Sequence, residues 1–186
     1  MIQDFFPTPV YSEYLNLDVK DIAQYCLEMK SNTKSVQISN VGGWQSPGLT
    51  GEHLLLNNLF KSILDAAEIY RDAIDYKHPL SIKNIWININ GYKDYNIEHI
   101  HTTVASGVFY VKAQSGDLVL KHPARDLIDQ NWMSADLQKY TSYNSAVWRI
   151  PPEPNMLIIF PGWLSHRVES NLDKEDRISI SFNLGR

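Results

Sequence analysis

Cysteine is almost missing from this chain: among 186 residues there is one, Cys26. A single thiol excludes an internal disulfide, a cysteine-based zinc knuckle and an iron–sulfur cluster, and it suits a reducing compartment. Long apolar runs are absent as well. None approaches the ~18 residues of a membrane span, and the opening MIQDFFPTPVYSEYL has no basic stretch ahead of an apolar one. The expectation is a cytoplasmic protein with no membrane partner. Positive charge is in deficit, with 17 Lys and Arg against 21 Asp and Glu. That balance gives no basic surface for a phosphate backbone and no strong nucleic-acid signature. Internal repeats and low-complexity tracts are lacking too.

What is present is the composition of a folded protein, 44% hydrophobic and 20% charged. The length suits one domain over residues 1–186, large enough to bury a real core. A homo-oligomer is compatible with it.

FFPTPVY is apolar but broken by Pro7 and Pro9, which predicts an extended edge segment lying against a core. Asp18 is placed to cap the helical pattern VKDIAQYCLEMK, where Val19, Ile22, Ala23, Cys26 and Leu27 recur at helical spacing and Lys30 lies at the C-terminal end. NVGGWQSPGLTG reads as a loop. EHLLLNNLFKSILDAAEIYRDAIDY is the longest helical pattern, and its stripe of Leu55, Leu59, Ile63, Ala66 and Tyr70 should pack on something flat. After Pro79 the period shortens from about 3.6 to 2, and IKNIWININ, SGVFYVK, DLVLKH, AVWRI, NMLIIFPG and RISISFNLG read as strands. Helical support over roughly 17–78 followed by a β core over roughly 80–186 predicts a mainly β fold with N-terminal helices, an antiparallel sandwich or open barrel. PARDLIDQNWMSADLQKYTSYNS reads as a long irregular stretch of the kind that forms binding loops or lids.

The chemistry concentrates in NIEHIHTTVASGVFYV. In an extended segment, residues i and i+2 point the same way, so His99 and His101 project to one side and can share an ion; hydrogen-bonding residues at a strand end would look alike. A third histidine, His166, follows the turn in NMLIIFPGWLSHRV. Three neutral imidazoles gathered at a sheet rim suit Fe, Zn, Cu or Ni. In DRISISFNLG, Arg177, Ser179, Ser181 and Asn183 share one face and Ile178, Ile180, Phe182 and Leu184 the other. The polar face lies either in water or in a barrel mouth, where Arg177 would fork onto a carboxylate with Ser179 as a further donor.

His-x-His, a distal His166 and Arg177 eleven positions later within Arg-x-Ser resemble the iron(II)- and 2-oxoglutarate-dependent oxygenases. FFPTPVY, GGWQS, WIN, HIHTTVASGVFYV, LIIFPGWLSHRV and RISISFN look more specifically like one oxygenase family of bacteria and phages, over nearly the whole chain. The resemblance implies a double-stranded β-helix (jelly-roll, cupin-like) buttressed by helices. It implies Fe(II) on His99, His101 and His166, and 2-oxoglutarate on Arg177 and Ser179, with Tyr110 and Asn88 as further candidates. The implied activity is hydroxylation of a prime substrate, whether protein side chain, nucleoside or small molecule. The superfamily commonly has Asp or Glu where His101 stands. Three imidazoles leave both charges of Fe(II) to be balanced by the dianionic keto acid. Glu98 is no substitute, because adjacent strand residues face opposite ways.

His53, His78 and His122 lie in helix-start, pre-proline and strand-end contexts and are not assigned to the metal; Lys112 reads as a solvated strand end. Trp132, Tyr140 and Tyr143 could contact substrate or simply pin their loop. Two competing readings use the same histidines: a cupin-like metal-binding protein or isomerase, and a non-catalytic structural or interaction domain. Arg177-x-Ser179 argues against the cupin, as do Ala105 and Ser106 where its glutamate would stand.

Overall fold

Asp18 caps the first helix, accepting the Lys20 N–H at 3.0 Å, and Thr33 ends it with both its N–H and its hydroxyl on the Met29 carbonyl. The computed structural model describes residues 1–49 and 54–186. In chain order it contains β1 (Tyr11–Tyr14), α1 (Val19–Asn32), β2 (Asn40–Val41), β3 (Trp44–Gln45), α2 (Asn57–Ala73), β4 (Ser81–Asn90), β5 (Tyr95–His99), β6 (Ala105–Lys112), β7 (Leu118–Lys121), α3 (Arg125–Asn131), β8 (Val147–Ile150), β9 (Met156–Pro161), β10 (His166–Val168) and β11 (Arg177–Gly185). Among the described residues no helix is long and apolar enough to cross a membrane.

The strands form two antiparallel sheets, one in the order β1-β9-β6-β11-β4-β3 and the other β2-β5-β10-β7-β8. The alternation read from the sequence divides the six-stranded sheet between two cores. Ile85, Ile87 and Ile89 of β4 and Ile178, Ile180, Phe182 and Leu184 of β11 face the helices, where they meet Ile22, Leu59, Ile63 and Tyr70. The opposite face looks into the sandwich, where Val108, Tyr110, Ile158 and Phe160 pack with Leu118 and Leu120 of the smaller sheet. Gly107 is needed where β6 pairs with Phe182 of β11, because a Cβ there would collide with the Phe182 ring and the Ile158 carbonyl.

Four local expectations need correction. The chain starts α2 with a 3-10 turn, Leu54–Leu56, which displaces the first member of the stripe: Leu56 is buried and Leu55 exposed, while Leu59, Ile63, Ala66 and Tyr70 are buried as expected. The apolar opening meets the core only at its end: Phe5 and Phe6 are exposed, and the edge strand begins at Tyr11, beyond both prolines, where Tyr11 packs against the core. The sheets are not confined to the C-terminal half: β1, β2 and β3 add strands to both of them. The stretch 123–145 is not irregular throughout, because α3 forms in it with an Arg125–Asp129 pair one turn apart.

Candidate active site

Two strands of the smaller sheet bring the histidines together. His99 closes β5, His166 opens β10, and they are partners in the antiparallel ladder, with ring centroids 4.3 Å apart. The ladder slips just beyond, where Val168 pairs with Asn96, so that three steps on β5 match two on β10. This bulge breaks strict alternation. Asn96 and His99 both border the cleft between the sheets, while Ile97 and Glu98 are exposed. Glu98 turns instead to Lys121 (2.6 Å) and the Ser165 hydroxyl (2.9 Å). His101 is held by its backbone N–H on the Gly162 carbonyl, 2.9 Å away. Its ring lies 4.9 Å from that of His99 and 5.1 Å from that of His166. One donor-capable atom from each imidazole lies within 4.8 Å of the other two.

A ring nitrogen offers a lone pair only if the proton sits on the other one. Nδ1 of His99 is 2.7 Å from the Ile97 carbonyl, and Nδ1 of His166 is 2.8 Å from the Leu164 carbonyl. A carbonyl only accepts, so each Nδ1 carries the proton and each Nε2 is left free for an ion. Burial, and then the neighbouring His99, pull His101 down to about 4 and His166 down to about 3. Both rings are therefore neutral at pH 7 and need lose no proton to bind a metal.

The inward face of β11 supplies the other end of the cleft. Ser179 stands in one cross-strand row with Asn88 and Tyr110. Arg177 is 2% exposed, and none of the ion pairs among the described residues includes it. Its Nη1 donates to the carbonyls of Ser115 (3.2 Å), Gly116 (3.1 Å) and Glu169 (3.0 Å), while its buried Nη2 has no partner. The Tyr110 hydroxyl and Asn88 Oδ1 are also buried without partners; Asn88 Nδ2 donates to Ser181 Oγ at 3.0 Å. Burial pushes the Tyr110 phenol up to about 12 despite the opposing pull of Arg177, so it keeps its proton and can donate. Burial also lowers the Arg177 pKa, against the raising effect of Tyr110 and Asp94. Orphaned donors on a buried cation and on a phenol fit a carboxylate ligand.

The structure thus brings Asn88, His99, His101, Tyr110, His166, Arg177 and Ser179 to one cleft. Lys112 pairs with Glu175 at 2.7 Å, His78 lies edge-on to Tyr76, and His122 Nδ1 accepts the Ala124 N–H, so none of these joins the group. His53 lies outside the described residues. Sequence reasoning missed the aromatic walls, Trp86 at 6.0 Å from the His101 ring and Phe160 at 4.7 Å from the His166 ring. For Trp86 the signal was present, since it shares a strand face with Asn88.

A family model described as "Putative 2OG-Fe(II) oxygenase" matches residues 84–183, a span that holds the whole cleft just described. The chain belongs to this oxygenase family. Membership makes Fe(II) and 2-oxoglutarate the cofactors of the oxygenase, and the donor set above is chemically suited to both. Similar solved structures include the non-heme alpha ketoglutarate dependent epimerase SnoN from nogalamycin biosynthesis, with TM-score 0.70 and 13% identity over 95% of the oxygenase and 78% of that chain. A Pseudomonas putida prolyl-4-hydroxylase gives TM-score 0.66 and 11% identity over 95% and 92% of the two chains. HygX from Streptomyces hygroscopicus, solved with nickel and 2-oxoglutarate bound, gives 0.65 and 11% over 96% and 83%. At such identities the likeness shows the fold, and the oxygenase has the expected double-stranded β-helix. A search of curated protein sequences finds no match.

Proposed function

We propose that the oxygenase holds Fe(II) through His99, His101 and His166, anchors the distal carboxylate of 2-oxoglutarate on Arg177, and hydroxylates a prime substrate. The observation that carries this reading is Arg177 itself: a buried guanidinium with a free Nη2, no anionic partner, and a place in the same cleft as three imidazoles. Buried charges are normally paired, so the site calls for an anion. A keto diacid supplies it, with one end for the metal and the other for the guanidinium.

The bound iron and keto acid supply the oxidising chemistry, with oxygen as co-substrate. The chain's own residues bind and orient. His99 and His166 present Nε2 because two carbonyls hold their Nδ1 protons. Tyr110 and Ser179 add hydroxyl donors beside Arg177. Asn88 can join them by turning its amide over, since Ser181 Oγ is able to donate to Oδ1 as well as accept from Nδ2. Trp86 flanks His101 and Phe160 flanks His166, which gives those two imidazoles aromatic neighbours.

Aerobic incubation with Fe(II), 2-oxoglutarate and ascorbate, which supplies the two electrons that an oxidised prime substrate would otherwise provide, tests the reading. Succinate should accumulate with wild type and not with His99→Ala. Equal succinate from both proteins, or none from a wild type shown to bind both cofactors, would contradict it.

A further inference from the structure

All of the hydrogen bonding on Arg177 comes from one side. Its three acceptors are main-chain carbonyls of two loops, 113–117 between β6 and β7 and 169–176 between β10 and β11. Nη1 has two hydrogens for these three acceptors, so one is shared and the group has none left for a ligand.

The loops are laced to each other and to the end of β4. Glu169 N–H donates to the Asp117 carbonyl at 2.9 Å. The Ser115 hydroxyl donates to Asn171 Oδ1 (2.8 Å) and accepts from the N–H groups of Leu172 (2.8 Å) and Asp173 (3.1 Å). Asn171 is 1% exposed although it lies in a loop, and its Nδ2 donates to the carbonyls of Asn90 (3.0 Å) and Glu175 (2.8 Å). Gly116 answers two separate demands. Its φ is +88, which disfavours any side chain, and a Cβ there would run into Arg177 Nη1 and the Glu169 carbonyl.

We propose that this carbonyl cradle, built by Ser115, Gly116 and Asn171, locks the guanidinium in one orientation, so that Arg177 gauges the length of the keto diacid as well as its charge. The proposal rests on the reading of Arg177 as the keto-acid anchor. An arginine free along its flexible stem would follow a longer or shorter ligand at small cost. Here Nη1 is committed to three acceptors, and displacing the head by the length of a methylene carries it out of hydrogen-bonding range of them. With Nη1 committed, a ligand meets the guanidinium on its other side, where the buried Nη2 has no partner, at a fixed distance from the histidines. Ser115, Gly116 and Asn171 are positioning residues, acting through the arginine.

The test is calorimetric titration of the Ni(II)-loaded protein with three ligands: 2-oxoglutarate, the one-methylene-longer 2-oxoadipate, and pyruvate, which lacks the distal carboxylate. Wild type should prefer 2-oxoglutarate to 2-oxoadipate by about tenfold or more, the worth of one good hydrogen bond. Ser115→Ala and Gly116→Ala should each weaken 2-oxoglutarate by about tenfold and compress that preference, on the same scale. Pyruvate affinity should not change, and Ser115→Thr, which keeps the hydroxyl, should restore wild-type behaviour. If Gly116→Ala does not fold, the Ser115 pair decides by the same criteria. Variants with wild-type affinity and preference would overturn the cradle, as would a loss of pyruvate binding in equal proportion, which marks a merely structural role. A wild type that binds pyruvate as tightly as 2-oxoglutarate would remove the anchor itself, and the cradle with it.

Discussion

His99 and His166 are cross-strand partners on β5 and β10, and each donates an Nδ1–H hydrogen bond to the carbonyl of the residue two places before it. The repeated device fixes two tautomers with main-chain atoms alone and leaves two Nε2 lone pairs converging with the His101 ring. One divalent ion per chain should therefore bind in a Mn(II) titration, and His99→Ala or His166→Ala should abolish it. Unchanged affinity in both variants would leave the histidines as hydrogen-bonding strand ends.

The resemblance puts His101 where the wider superfamily commonly has an acid, and its ring lies within 5.1 Å of both partners. His101→Asp should retain Fe(II) better than His101→Ala, because an anionic oxygen can take the vacated position and cancels one charge, whereas alanine leaves it to water. Oxygen consumption dependent on 2-oxoglutarate should survive in the Asp variant only. Equal, full metal binding by wild type and both variants would show that His101 is not a ligand.

Arg177→Lys keeps the charge and loses the planar fork. An ammonium cannot hold the three carbonyls and also present a fixed donor to the ligand, so 2-oxoglutarate affinity should fall roughly ten- to a hundredfold, using ~1.5–3 kcal/mol for a charge-assisted hydrogen bond. Normal affinity in the lysine variant, measured by displacement of the keto acid from the Ni(II) form, would place the anchor elsewhere.

The metal-free protein should lose stability on acidification. Folded His101 and His166 protonate only near 4 and 3, against an ordinary 6.5 in the unfolded chain. Between those values the unfolded chain holds more protons, so this contribution to stability is complete above about pH 6.5 and is lost as the pH falls towards 4 and 3. Urea midpoints at pH 7 and pH 4.5 should show the drop, and His101→Gln should make it smaller. An identical pH slope in that variant would mean that His101 is not the titrating group.

The two faces of β11 were legible as faces because alternation along RISISFNL is strict, but alternation alone could not say which was wet. The structure answers that neither is: Ile178 and Ile180 meet the helices while Arg177 and Ser179 are buried between the sheets. The histidines were legible as a group, yet the bulge that lets both Asn96 and His99 face inward is a slip in register, with no side-chain signature. The Arg177 cradle was hidden for a related reason, since its acceptors are carbonyls, which every residue carries. Nothing in the sequence marks Gly116, Ser115 and Asn171; only the fold sets them against the guanidinium. For α2, the stripe failed only at Leu55, where the 3-10 turn at Leu54–Leu56 changes the pitch that periodicity assumes to be constant.

In the proposed complex one cleft holds iron on the three histidines and, chelated to it, a keto acid whose far end rests on Arg177. Anaerobic addition of Fe(II) and then 2-oxoglutarate, followed by visible absorption, tests it most directly. A charge-transfer band should appear only when both are present, be absent from His166→Ala, and need more 2-oxoglutarate to saturate in Arg177→Lys. A band that persists in His166→Ala, or no band from a wild type that has bound both iron and 2-oxoglutarate, would contradict it.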